Sequence, residues 1–216
     1  IHFFSESKHN GTKTVVMSPD FSMVAKHADQ WIPCHAGTDG AFWMAVTHVI
    51  LKEYHVDRQV PYFVEYVKRY TDCPFLVELK KEGDHYLPGR LLRANRLSKY
   101  KDVENGDWKF LNLDSDSGKP VMAKGGMGQR WDKEKDNIGK WNLLYEDGMD
   151  NSGFNPELSL INKSDDVLQV EYTEFGLKEK ANRGVPVKYM NTIDGGKVPV
   201  ATIYDIMMGH YGVGRG

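Results

Sequence analysis

Between Val15 and Asp39 the chain reads VVMSPDFSMVAKHADQWIPCHAGTD, two short apolar runs each followed by a small polar loop that carries an aspartate. The first run, Thr14 to Met17, has the unbroken apolar character of a fully buried parallel strand. It stops at Ser18-Pro19-Asp20, a turn signal. A short amphipathic segment follows, with Met23, Val24 and Ala28 on one side and Lys26 and Asp29 on the other. A second strand, Trp31-Ile32-Pro33, leads into the loop Cys34 to Asp39, and Gly40 opens an apolar helix. Two βα units side by side predict an α/β fold, part of a doubly wound, mostly parallel nucleotide-binding domain. In such sheets, ligands sit in the crevice beyond the carboxyl ends of the strands.

Asp39 is the sharper of the two loop positions. A carboxylate only accepts hydrogen bonds and takes two parallel donors, such as the N1–H and exocyclic amine of a guanine edge. Gly37 lets backbone approach closely, and Thr38 adds a hydroxyl. The competing reading is structural: Thr38-Asp39 has the residue types of a helix N-cap. Spacing alone favours the cap, and a helix start also attracts the anionic parts of a nucleotide. Ser18 and Asp20 likewise suit a local side-chain turn.

The 216 residues are enough for one large domain or two small ones, and 40% hydrophobic content supports a core. A net charge of −2, with both signs mixed along the chain, gives no basic footprint for nucleic acid. No apolar run reaches the length of a membrane span, and no signal peptide is visible. The chain begins at Ile1-His2-Phe3-Phe4 without Met and stops at Gly216 without a cap, which reads as an internal segment of a longer chain. The two cysteines, Cys34 and Cys73, are too few for a four-cysteine metal site, and Cys73 reads as a small buried hydrophobe.

Residues 1–12 read as a helix and a turn at Asn10-Gly11, and residues 40–55 as an interior helix, apolar nearly all round. His48 and His55 lack the four-residue step of a helical metal pair and read as structural. Pro61 suits a first helical position, and Phe63, Tyr66, Val67 and Tyr70 give an amphipathic helix over 61–71. Residues 75–79 read as a strand, 82–84 as a hairpin turn and 85–87 as the start of a return strand, which Arg90 to Asn95 continues or turns into a short helix. From about 96 to 165 the chain is polar, with a short strand at Trp108–Leu113 and a turn at Asp114–Gly118. The glycine-rich Gly125 to Gly128 reads as a surface turn instead of a phosphate loop. Strands are predicted over 166–176 and 186–203, with a hairpin turn at Asp194-Gly195-Gly196 and a closing helix over 204–210. The division predicted is 1–74 as the βα nucleotide-binding portion, 75–203 as a β-rich, loop-rich insertion, and 204–216 as the start of a return to the α/β core.

The segments GTKTVVMSPDFSMVAKHADQWIPCHAGTD, AFWMAVTHVILKEYH, VPYFVEYVKRYTDCPFLVEL, PGRLLRAN, GQRW with KWNLL, and TIYDIMMGHYGVGRG together resemble the alpha (catalytic, molybdopterin) subunits of respiratory nitrate reductases and nitrite oxidoreductases. These belong to the DMSO-reductase-type molybdopterin oxidoreductases. The resemblance implies a full-length enzyme that interconverts nitrate and nitrite by two-electron oxygen-atom transfer at molybdenum bis(molybdopterin guanine dinucleotide). It also implies an iron–sulfur cluster whose ligands lie outside this segment, an iron–sulfur electron-transfer beta subunit, a membrane or haem gamma subunit, and a membrane-associated complex. No nucleic acid is implied. Carried over by position, Ser18, Pro19 and Asp20 would border the ribose and guanine side. Gly37, Thr38 and Asp39 would follow the next strand, with Asp39 on the guanine edge. No catalytic residue and no metal ligand falls in this segment.

Two other readings stand beside this one. A related molybdoenzyme could handle selenate, perchlorate or a hydrocarbon on the same scaffold. A doubly wound domain could instead bind another ligand or a partner without redox chemistry, since no nucleophile–base pair and no HExxH or GxSxG motif occurs.

Overall fold

The computed structural model describes residues 2–124, 144–173 and 180–213. The Gly125–Gly128 turn, the GQRW motif, the end of the strand predicted over 166–176 and the last three residues lie outside them. Contacts divide the chain into two units, Ile1–Thr47 and His48–Gly216.

The first unit opens with α1 (His2–His9), which ends in a turn at Gly11, φ +85°. β1 (Val15–Met17) and β2 (Gln30–Ile32) follow and pair in parallel, Val15 opposite Gln30 and Met17 opposite Ile32. The two predicted strands are present and parallel, but they are not fully buried: Val15 is 55% exposed. Within the unit the sheet is two strands wide, too narrow to cover its own faces. The connection between them makes one 3₁₀ turn, Ala25–His27. A single turn of three residues cannot build the apolar face that the sequence suggested. Ala25 is buried, whereas Met23 and Val24 are exposed.

α2 (Asp39–Ile50) starts where the sequence places a helix. It runs on as a π-helix over Leu51–Asp57, in which each turn holds an extra residue and the buried face is re-aimed. The expectation of an interior helix is not met: no α2 residue is buried, and Trp43 is 58% exposed. Leu51, the first residue of the wider turn, is buried.

In the second unit, α3 (Pro61–Tyr70) carries Pro61 in its first turn, as its amphipathic spacing predicts. Five strands then close a barrel in the order β10-β3-β4-β8-β9: β3 (Leu76–Glu82), β4 (His85–Leu91), β8 (Asp166–Thr173), β9 (Lys180–Asn191) and β10 (Lys197–Thr202). All neighbours are antiparallel except β4 and β8, which pair in parallel with Tyr86 opposite Val170. Gly83 at φ +62° makes the β3–β4 turn, and Thr192, Gly195 and Gly196 hydrogen-bond across the β9–β10 turn. A β-bulge bends β4, where Gly89 and Arg90 oppose the single residue Glu78. A Cβ on Gly89 would lie 2.6 Å from the Glu78 carbonyl oxygen, so only glycine lets the backbones approach so closely.

The barrel is filled by Leu79, Val170, Tyr172, Val185, Val187 and Ala201. A second core, around Leu76, Leu92, Tyr100, Leu111, Met122 and Leu160, takes in the antiparallel sheet of β5 (Leu111–Leu113), β6 (Pro120–Lys124) and β7 (Leu144–Asp147). The strand predicted over Trp108–Leu113 is present only over its second half, as β5, and Trp108 itself ends a 3₁₀ turn, Gly106–Trp108. Asp114 holds the 114–118 turn by accepting from Ser117 N, Ser117 Oγ and Asn155 N. A third core joins Leu51, Val67, Cys73, Leu158, Tyr204 and Met208 beneath α4 (Ile203–His210). Burial raises the Cys73 thiol above its ordinary range, in keeping with a packing role. His48 Nδ1 lies 2.8 Å from the Tyr211 carbonyl oxygen and His55 packs edge-on against Tyr204, structural places for both histidines. No helix among the described residues is long and apolar enough to cross a membrane.

Candidate functional site

The parallel pairing of β1 and β2 brings both polar loops to one edge of the ladder. Ser18 follows Met17 directly and its amide donates to the Ile32 carbonyl at 3.3 Å, so the ladder ends where the two loops begin. This is the carboxyl-end edge at which open α/β sheets bind ligands.

Thr14 and Asp29 clasp the opposite edge. Each stands immediately before its strand. The Thr14 amide and hydroxyl both donate to Asp29 Oδ2 at 2.8 Å, and the Asp29 amide donates back to Thr14 O at 2.9 Å. Lys8 Nζ adds an ion pair at 3.4 Å to Asp29 Oδ1. The Thr14 amide and hydroxyl, with Lys8 beside them, hold the Asp29 carboxyl down at about 2. Stability from this clasp is therefore present above the ordinary carboxylate range and lost as pH falls through about 2.

The first loop is braced by Trp31. Its indole Nε1 donates to Ser18 O at 3.1 Å and Ser18 Oγ at 3.3 Å, and Phe21 packs edge-on against its ring at 5.1 Å. Ser18 Oγ in turn donates to Asp20 O at 2.5 Å. The Ser18 hydroxyl is thus built into the turn, and Pro19 and Asp20 stand exposed beyond it.

In the second loop, Gly37 sits at φ +83°, a conformation that L side chains rarely adopt, with nothing within 4 Å of where a Cβ would be. Thr38 Oγ1 donates to His35 O at 2.7 Å, while its carbonyl accepts from Phe42 N at 3.1 Å. Thr38 is therefore the backbone cap of α2, but its hydroxyl points back along the loop. Asp39 is the first residue of the helix, exposed, and its carboxylate accepts no hydrogen bond from any described residue. Its charge is well placed against the helix dipole. The side-chain capping expected of Thr38-Asp39 is absent, and no described residue commits the Asp39 oxygens.

The acceptor set has the chemistry that one end of a guanine nucleotide would require. Asp39 and Asp20 are acceptor-only groups on the same edge, suited to the N–H pair of guanine and to ribose hydroxyls. Gly37 leaves open space beside the backbone. The six predicted residues contain no cation, so none of them would neutralise a pyrophosphate. Among the described residues there is no group of His, Cys, Asp and Glu that could hold a metal ion. The residues that position this edge, Thr14, Asp29 and Trp31, are absent from the predicted set. The signal available was their placement, Thr14 and Asp29 one residue before each strand.

Comparison with known proteins supplies the rest. No protein-family model matches the chain. The respiratory nitrate reductase 1 alpha chain of Escherichia coli K12 is 37% identical over 227 residues, covering all of this chain and 18% of the relative. The nitrate reductase alpha subunit of Mycobacterium tuberculosis H37Rv is 40% identical over 223 residues, covering 99% of this chain and 17% of the relative. A shorter match, 37% over 131 residues and 60% of this chain, is to the perchlorate reductase subunit alpha of Dechloromonas aromatica. The chain is thus of the class of reductase alpha chains. Its family is that of the nitrate reductase alpha chains, to which it is homologous from end to end and of which it spans less than a fifth.

Proposed function

We propose that this chain is the part of a molybdenum nitrate reductase or nitrite oxidoreductase alpha subunit that grips the guanine end of a molybdopterin guanine dinucleotide. The observation that carries the reading is the Asp39 carboxylate, uncommitted among the described residues, at the carboxyl edge of β1 and β2 in a chain homologous throughout to nitrate reductase alpha chains. β1 and β2 would belong to a doubly wound sheet completed by the rest of the polypeptide. Asp39 would accept the guanine N1–H and amine. Asp20 would accept from ribose, and the Ser18–Pro19 turn, held by Trp31, would set the spacing between the two loops. Gly37 would keep the backbone clear of the purine. The bound cofactor supplies the two-electron oxygen-atom transfer; the protein groups here bind and orient it. In the reducing direction, nitrate, two protons and two electrons give nitrite and water. The full assembly would contain an iron–sulfur cluster bound outside these residues, an iron–sulfur beta subunit that passes electrons, and a membrane or haem gamma subunit that ties the complex to a membrane.

Asp39→Ala in the full-length enzyme tests the assignment. Loss of a charge-assisted hydrogen bond costs about 1.5–3 kcal/mol, roughly 10- to 100-fold in affinity. Guanine nucleotide released on denaturation, and molybdenum per subunit, are expected to fall together. Full occupancy with normal turnover would remove Asp39 from the site. The perchlorate reductase match supports a second substrate reading, and steady-state assays with nitrate, nitrite and perchlorate separate the two.

A further inference from the structure

The second unit contains a cavity of about 240 Å³ that the cofactor reading does not use. A water's share of the liquid is about 30 Å³, so the space would take a small molecule with several waters. Its lining includes His55 in the π-helix and Gln59 just beyond it, Lys68 on α3, Glu157 and Asn162, and Asp205 on α4. Gln59 holds φ +51°, a left-handed conformation that non-glycine residues adopt at a cost.

The lining groups differ in what they still require. Asp205 accepts from Ser159 Oγ at 2.6 Å, Leu160 N at 2.8 Å and Thr202 Oγ1 at 3.0 Å. Glu157 Oε2 is neutralised by Lys163 Nζ at 2.6 Å. Asp205 thus has its hydrogen-bond donors, and Glu157 has a cation beside it. Lys68 is less well supplied. It is 8% exposed, and its ammonium donates to one neutral acceptor, Asn155 Oδ1, at 3.0 Å. No carboxylate among the described residues lies within ion-pair distance of it. An ammonium has three donors, and a buried charge is costly unless it is paired. Among the described residues, the unmet demand on this cavity is therefore for acceptor oxygen and negative charge.

We infer that the cavity is a small-oxyanion site anchored by Lys68 and built from residues other than those of the two loops. The ligand class is a compact anion rich in acceptor oxygens: a free oxyanion, or a carboxylate supplied from elsewhere in the full-length protein. The ammonium of Lys68 provides the charge and two donors, and the Asn162 amide lies on the same lining. Arginine could take over the role by its fork of donors, but an apolar side chain of equal length could not.

The test is amide hydrogen exchange read by mass spectrometry on the full-length protein, titrated with phosphate at constant ionic strength. Peptides spanning 55–68 and 155–163 are expected to exchange severalfold more slowly, with saturation, and to lose that response in Lys68→Met while keeping it in Lys68→Arg. This outcome assigns a free oxyanion. Protection that needs no added anion and disappears in Lys68→Met assigns an internal carboxylate. Exchange that is the same in wild type and Lys68→Met, and flat across phosphate, nitrate and sulfate, overturns the inference. The titration of the unaltered protein reads the free-anion arm even where a variant folds poorly.

Discussion

Gly37 and Asp205 show how single residues bear on the two sites. Gly37 has room for a side chain but not the backbone conformation for one. Gly37→Ala should cost about 1–2 kcal/mol through the left-handed backbone alone. Asparagine, which tolerates that conformation, should recover part of it. Faster exchange across residues 34–40 in the full-length protein is the readout, and equal exchange for alanine and glycine would contradict it. Asp205 is 5% exposed, and burial pushes its carboxyl up to about 6 despite the Leu160, Ser159 and Thr202 donors that pull it down. The native state then binds its proton at a pH where the unfolded chain, near 3.9, has released it. Stability linked to Asp205 should fall as pH rises from about 4 to about 6 and stay lowered above, by about 3 kcal/mol. Asp205→Asn should flatten that slope, measured by denaturant unfolding against pH. An unchanged slope would place the titration elsewhere. The strand predicted over 186–203 hid the cap of α4: Thr202 and Asp205 have the spacing of a capping box, and Thr202 Oγ1 accepts from Asp205 N at 3.0 Å. The carboxylate's bonds to Ser159 and Leu160 were not legible, because about forty-five residues separate the partners.

Among the elements, α4 is fitted closely to the barrel. Tyr172 on β8 donates its hydroxyl to Ile206 O at 3.0 Å, and Arg183 on β9 donates to Gly209 O at 2.7 Å. A Cβ on Gly209 would stand 2.5 Å from the Tyr172 hydroxyl. Gly209→Ala should therefore destabilise α4 by about 1–3 kcal/mol. Tyr172→Phe should relieve part of that cost, giving a coupling energy in a double-mutant cycle read by exchange over 203–210. Strict additivity would show that the two do not meet. Local pattern revealed the elements that local forces make. The periodicity of α3, the Gly83 turn and the Gly195 turn all appear where the sequence predicts them. Pattern did not reveal that β4 and β8 pair in parallel, since nothing in either strand names a partner so distant. The same limit applies to the candidate site. Its two loops could be read from their place after strands, whereas the Trp31 brace depends on a contact across the whole β1–β2 connection.

For the whole molecule, one feature of the barrel reaches beyond the folded state. Leu76 on β3 pairs with Thr202 on β10, the two ends of the sheet's span in the chain. The β3–β4 hairpin can form early, from neighbouring residues. Its outer edge must wait until the residues near 202 have left the ribosome, about 6–25 s later at ordinary rates of synthesis. Throughout that interval a nascent strand offers unpaired amides and carbonyls to any passing chain. Lys80, Lys81 and Glu82 crowd the far half of this strand with charge. They are suited to keeping the half-made product from sticking to its neighbours on a polysome.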